Sequence, residues 1–483
     1  MNMAMKRIFL LSLLAASAMF VGCSKFLDVN PKGETFDADM FTNEDGWQDA
    51  LYGVYSEIAQ NTNLFKGYLS YCPEVMSQNV TCVNYYVLGS LSLGDWYSTG
   101  PAGIREKIWS DAYEAINHLN NIIAHAEDAD ASDFKYFNLY YGEALALRAF
   151  LHFELIRLYG APYWASASDK ATCIPYVENY SFDVTDFSSW DDAFAKVLRD
   201  LKQAEELLAR DEEFVPEVRT NSATGFTDAR ITHLNLYAVQ ALIARVYWTM
   251  DDMANAAIYA QKVIDSGKFS FRPKSAFVQA DNGTLDLDET LFGLYIDDET
   301  SIARQYALTG TSTSSFSLAS DAIQLYEEGS SASQTDYRLG AWFDVSDVLL
   351  KKLVNTIFYD ESSASYTGSS ILGINVLRIP EMYYILAEYY LDSDNAKAIE
   401  YYDAVAVSRG LDALSETGES LTHEMLFNER RKEFYGEGFT WHEMKKLAMD
   451  ITTTTGDVLP GNVAATYTMP VPDSESEARE NLE

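Results

Sequence analysis

Carboxylates are the residues most able to do chemistry in this sequence, and their spread singles out no catalytic pair. A glycoside hydrolase needs two carboxyls at a set separation, one with a raised pKa. Among 72 Asp and Glu, no short motif picks such a pair. The six histidines are scattered, and "WHEMKK" around His442 lacks the second histidine of a zinc-protease helix. "GDWYSTG" (94–100) lacks nucleophile-elbow spacing. "DNGTLDLDE" (281–289) has spaced acids that could hold a cation but lacks the calcium-loop register. No glycine loop followed by lysine offers to cradle a phosphate. These patterns call for no catalysis, cofactor or metal.

Recognition chemistry is better represented. Loop aromatics can lay a flat ring on the apolar face of a pyranose while nearby amides, carboxylates and guanidinia bond its hydroxyls. The candidates are Tyr85 and Tyr86 with Asn84, and Trp96 and Tyr97 with Asp95. A second set is Tyr306, Tyr337 and Trp342 with Arg338. The alternative for each ring is a loop anchor tucked into the body. Trp109 and Tyr113, four apart on a helical pattern, read as packing. The run Glu429, Arg430, Arg431, Lys432, Glu433 reads as a salt-bridged structural face.

The elements that must position these residues are mainly helical. Trp47, Leu51, Val54, Tyr55 and Ile58 recur three and four apart, as do Ile108, Ala112, Ala115, Ile116, Leu119 and Ile123. "SSWDDAFAKVLRDLKQAEELLAR" is a further helix with Ser188 or Ser189 as N-cap. "ARVYWTMDDMANAAIYAQKVIDSG" (244–267) and "AEYYLDSDNAKAIEYYDAVAVSRG" (387–410) share one plan: a helix end, a short acidic turn, then a helix closed by glycine. Ala257 and Ala398 sit where paired helices would cross closely. That is the logic of tetratricopeptide hairpins, although the full consensus is absent. Hairpins are expected around 141–209, 232–267 and 380–410. Residues 61–102 and 268–378 read as long irregular stretches bearing aromatics, of the kind that carries function.

The N-terminus explains one cysteine. Lys6 and Arg7 precede an apolar run from Ile8 to Val21, a secretory leader too short for a comfortable membrane span. An ordinary cleavage site among Ala15 to Ala18 is one reading. "FVGC" resembles a bacterial lipoprotein signal, which implies a signal peptide over 1–22, cleavage before Cys23 and lipid attachment there. Cys72 and Cys82 could form a disulfide or remain buried thiols; Cys173 is the fourth cysteine. The formal net charge of -37 repels phosphate backbones and anionic headgroups alike. Nucleic acid is excluded as a partner on that ground.

Four segments in order resemble the SusD/RagB family of outer-membrane lipoproteins from Bacteroidetes. They are "CSKFLDVNPKGETFDADMFTNEDGWQDALYGVY" after the leader, the hairpin segments "ALRAFLHFELIRLYG" and "PEMYYILAEYYL", the signature-like "LFNERRKEFYGEGFTWHEMKKL", and the closing "YTMPVPDSESEAREN". Thr440 and His442 depart from the family signature around Trp441. The resemblance implies a mainly α, compact SusD-like fold over 23–483, built on tetratricopeptide-like hairpins, with long loops carrying the ligand face. Residues 23–33 would be the tether. It further implies a lipid-anchored, surface-exposed protein of the outer membrane. That protein would capture a glycan, oligo- or polysaccharide, and pass it to a TonB-dependent SusC-like barrel. A peptide-capturing RagB-like subunit and a scaffold without a ligand are the alternatives.

Overall fold

The structure, a computed structural model, describes residues 37–62, 64–69, 71–82, 86–219, 225–278, 282–296, 316–319, 321–327, 336–344, 349–352 and 371–480. Chain contacts divide it into two units, Met1–Gly46 and Trp47–Glu483. In the first, Asp37–Met40 forms a single helical turn. All that follows concerns the second.

Its scaffold is helical. The main helices are α1 (Glu44–Ser56), α2 (Thr99–Asp128), α3 (Phe137–Tyr159), α4 (Trp190–Leu207), α5 (Leu236–Thr249), α6 (Met253–Asp265), α7 (Ile379–Leu391), α8 (Asn395–Ser408), α9 (His423–Glu433) and α10 (Phe439–Leu447). Among the described residues no helix is long and apolar enough to cross a membrane. The expected periodicities hold: Trp47, Leu51, Val54 and Tyr55 are buried along α1, and Ile108, Ala112, Ala115, Ile116 and Leu119 along α2.

Three hairpins form at the expected places. In α4, Trp190, Phe194, Val197 and Leu201 face α3 while the charged residues between them stay outside. Ser189 is the N-cap, its Oγ accepting the Asp192 N–H at 3.2 Å. Gly142 lets α3 approach closely, because a Cβ there would stand 2.8 Å from Leu208 Cγ. In the pairs α5–α6 and α7–α8, the acidic turn is a capping device. Asp252 accepts the Asn255 N–H at 3.2 Å, and Asp394 the Lys397 N–H at 3.1 Å. Ala257 and Ala398 are both buried.

The stretches read as irregular contain more regular structure than their composition suggested. Leu64–Leu69, Tyr71–Met76 and Tyr86–Ser92 are helical turns, and Tyr337–Trp342 is a short helix. Strand β1 (Thr290–Tyr295) pairs antiparallel with β2 (Gly373–Arg378), from Thr290↔Arg378 to Tyr295↔Gly373. These pieces are too short to show a period, and long-range pairing fixes them. Cys72 is a buried free thiol, so it forms no disulfide with Cys82. Burial pushes it and Cys173 up to about 12, which leaves both unreactive.

The charged run of α9 lies inside the body instead of on a solvated face. Arg338 meets Asp336 at 2.7 Å, Glu429 at 2.6 Å and Glu433 at 3.0 Å. Arg378 reaches Glu289 at 3.0 Å and Glu433 at 2.6 Å, and Arg409 reaches the same two at 2.7 and 2.8 Å. Lys432 pairs with Glu429, and Lys352 with Glu437. Arg338, Arg378, Arg409, Lys352 and Lys432 thus face Asp336, Glu289, Glu429, Glu433 and Glu437. Five positive charges balance five negative ones. That neutrality is what makes burying so many charges tolerable. Burial would raise the Glu433 carboxyl, but Arg409, Arg378 and Arg338 outweigh it and hold it well below the usual range.

Candidate functional site

The surface loop 93–98 combines an anchor with a displayed ring. Trp96 is only 7% exposed, whereas the next residue, Tyr97, is 77% exposed. Asp95 sets their opposite directions. Its Oδ1 accepts the N–H groups of Tyr97 and Ser98, both at 3.3 Å, closing a turn just before α2 begins. Gly94 turns the chain with φ +70° and packs against Leu459, where a Cβ would come within 2.7 Å of Cδ1.

Tyr97 has a fixed support. The Arg105 guanidinium, one turn into α2, lies 5.7 Å from the ring centroid. Arg105 is itself buried and donates through NH1 to the carbonyls of Pro470 (3.0 Å) and Val471 (3.1 Å). Tyr159 donates its hydroxyl to the Arg105 carbonyl at 2.8 Å. The closing C-terminal segment therefore holds the arginine that holds the tyrosine. Leu93 is exposed in the same loop, and so is Val458 in the hairpin that Gly94 packs against. This surface can stack a flat apolar face and hydrogen-bond around it.

The second expected group is placed differently. Trp342 is 3% exposed and packs with Phe277, Tyr326, Phe343 and Tyr435. Lys352 lies 3.9 Å from its ring centroid. Arg338 is fully buried in the charge network. Neither can meet a ligand, and Trp96 is likewise an anchor. For these three the platform reading is corrected: carboxylates at 429 and 433 draw Arg338 inward, and apolar neighbours draw the indoles. Tyr337 is half-buried, 6.1 Å from the Phe277 ring and beneath Lys274 at 4.7 Å. Asn84, Tyr85 and Tyr306 lie outside the described residues, as do Cys23 and the side chain of Tyr86. Trp109 and Tyr113 pack together at 4.9 Å.

One exposed pair went unnoticed in the sequence. Phe182 is fully exposed and Tyr180 half so, in the connection between α3 and α4. The alternation in "YSFDV" was the available signal. Interior space offers no site for a sugar. Two cavities, of about 20 and 40 Å³, adjoin at Arg157 and His442. By volume they suit one to about three waters. Among the described residues no cluster of His, Cys, Asp and Glu could hold a metal.

Comparison with known proteins agrees with this architecture. Residues 25–248 match the family model described as "Starch-binding associating with outer membrane" (SusD-like), and residues 301–482 match that of the SusD family (SusD/RagB). No curated protein matches. Similar solved structures include a SusD superfamily protein from Bacteroides thetaiotaomicron, 20% identical with TM-score 0.70, covering 91% of this chain and 98% of that one. A SusD-like carbohydrate binding protein from Bacteroides vulgatus is 20% identical with TM-score 0.70, covering 91% and 97%. A laminarin-binding SusD-like protein is 16% identical with TM-score 0.68, covering 90% and 98%. With family models matched in both halves and this fold shared over nine-tenths of its length, the chain belongs to the SusD/RagB family.

Proposed function

We propose that this protein captures a glycan at the cell surface and passes it to a TonB-dependent SusC-like barrel, held at the outer membrane by lipid on Cys23. The observation that carries the reading is the exposed Tyr97 ring, backed by a buried arginine and flanked by Asp95. Membership of a family whose model is described as starch-binding, and likeness to a laminarin-binding protein, support it. A capture site that must release its cargo needs only modest affinity. Dissociation constants in the range from mM to μM, roughly -4 to -8 kcal/mol, suit that task. The test measures polysaccharide affinity and melting temperature together on the parent and on Tyr97→Ala. Weaker binding at unchanged melting temperature is expected. Unchanged binding would move the site elsewhere, and no glycan binding by the parent would put the peptide-capturing reading ahead.

A further inference from the structure

A second strip of rings lies on the hairpins themselves. Phe271, Tyr383, Tyr401, Tyr390 and Tyr389 form an unbroken chain of contacts. Successive ring centroids are 4.7, 6.3, 5.9 and 4.9 Å apart. Tyr390 and Tyr401 are parallel to within 8°. Helix α7 supplies three of the rings, α8 one, and the segment after α6 the fifth. Tyr383 and Tyr390 are seven apart, two turns along one face.

Burial argues against packing as their sole purpose. Met382, Tyr384, Ile385, Leu386 and Ala387 of α7 are buried and form its contact face. Tyr383 and Tyr390 are half-buried, as are Phe271 and Tyr401, and Tyr389 is 39% exposed. Polar groups edge the strip. Tyr401 donates its hydroxyl to Gln261 Oε1 at 2.8 Å, so α8 reaches α6 across α7. Lys397 Nζ donates to the Tyr390 hydroxyl at 2.9 Å and lies 4.1 Å from that ring's centroid. Pre-set hydroxyls beside partly open rings suit a partner that is apolar on its faces and hydroxylated at its edge.

We infer that this aromatic strip on α7 and α8 is a second contact surface for a neutral glycan chain, built from different elements than the Tyr97 loop. The inference rests on the glycan reading proposed above. Charge selects the ligand class: a chain of formal net charge -37 repels uronate-rich or sulfated polymers and leaves neutral ones. Two separated contact surfaces would let a weak site hold a long polymer through avidity.

Native gel electrophoresis of the full chain through laminarin, starch, xylan or mannan tests it, with melting temperatures recorded for every variant. Tyr390→Ala with Tyr401→Ala should weaken retardation roughly three- to tenfold, in line with typical ring-contact energies. The paired Tyr→Phe changes keep the rings and should retain most of the binding. Tyr389→Ala removes the most exposed ring and carries the test if the double variant unfolds. Parental retardation in Tyr389→Ala and in a folded double variant, with binding lost in Tyr97→Ala, would overturn this inference and leave the proposed function standing. No retardation of the parent by any of the four would overturn both.

Discussion

Trp96 and Tyr97 are adjacent and chemically alike, yet one is an anchor and the other a displayed ring. Composition cannot separate them, because a loop aromatic turns inward or outward according to partners far away in sequence. Arg338 shows the same effect: its carboxylates stand 91 and 95 residues further along. Trp342→Ala should therefore act as a core truncation, costing about 3–5 kcal/mol. Arg338→Ala should cost a similar 3–5 kcal/mol, because it strands buried carboxylates. Urea unfolding of both variants measures the loss. A stability change below about 1 kcal/mol in either would return that residue to the ligand surface.

Elements were far more legible than side-chain directions. The periodicity of α1, α2 and α4 survives in the burial of their apolar residues, and Ser189 caps where the sequence placed a cap. The likeness between 244–267 and 387–410 became two hairpins of one design, with the acidic turn as the common cap. Legibility ended where partners are remote. β1 and β2 lie about eighty residues apart and were read as loop, and the α9 run was read as an outer face although its partners come from five other segments. Local capping allows a local prediction. Ser189→Ala should cost about 1 kcal/mol by leaving the Asp192 N–H without its acceptor. Thermal unfolding checks it, with Ser188→Ala as the control that should change little, since Ser188 is not the cap.

At the scale of the molecule, the opposing demands on buried carboxylates set how stability follows pH. Glu143 is fully buried. Burial alone would raise it, but Arg230 at 2.5 Å and His233 at 2.8 Å outweigh that and hold it at about 2. The native state then binds fewer protons than the unfolded chain between pH 2 and 4.5, so stability falls as pH drops through this range. Glu443 behaves in the opposite way. Burial raises it to about 7 despite Arg430 at 2.8 Å, which Glu388 shares. Its contribution is complete below pH 4.5 and is lost as pH rises through 7. Burial also raises Glu74 and Asp286, with the same sign. Lys445, pushed down to about 7 by burial, acts only above that pH. The interval from pH 4.5 to 7 therefore isolates the raised carboxyls. Stability should peak near pH 4.5–5 and decline toward neutrality. Glu443→Gln should make the decline shallower by about 2–3 kcal/mol, since each pKa unit corresponds to 1.36 kcal/mol. Glu74 and Asp286 should leave some slope behind. Urea unfolding at half-unit pH steps, on the parent and Glu443→Gln, reads this directly. Identical slopes in the two proteins would show that Glu443 is ionised throughout and that its pairing with Arg430 prevails over burial.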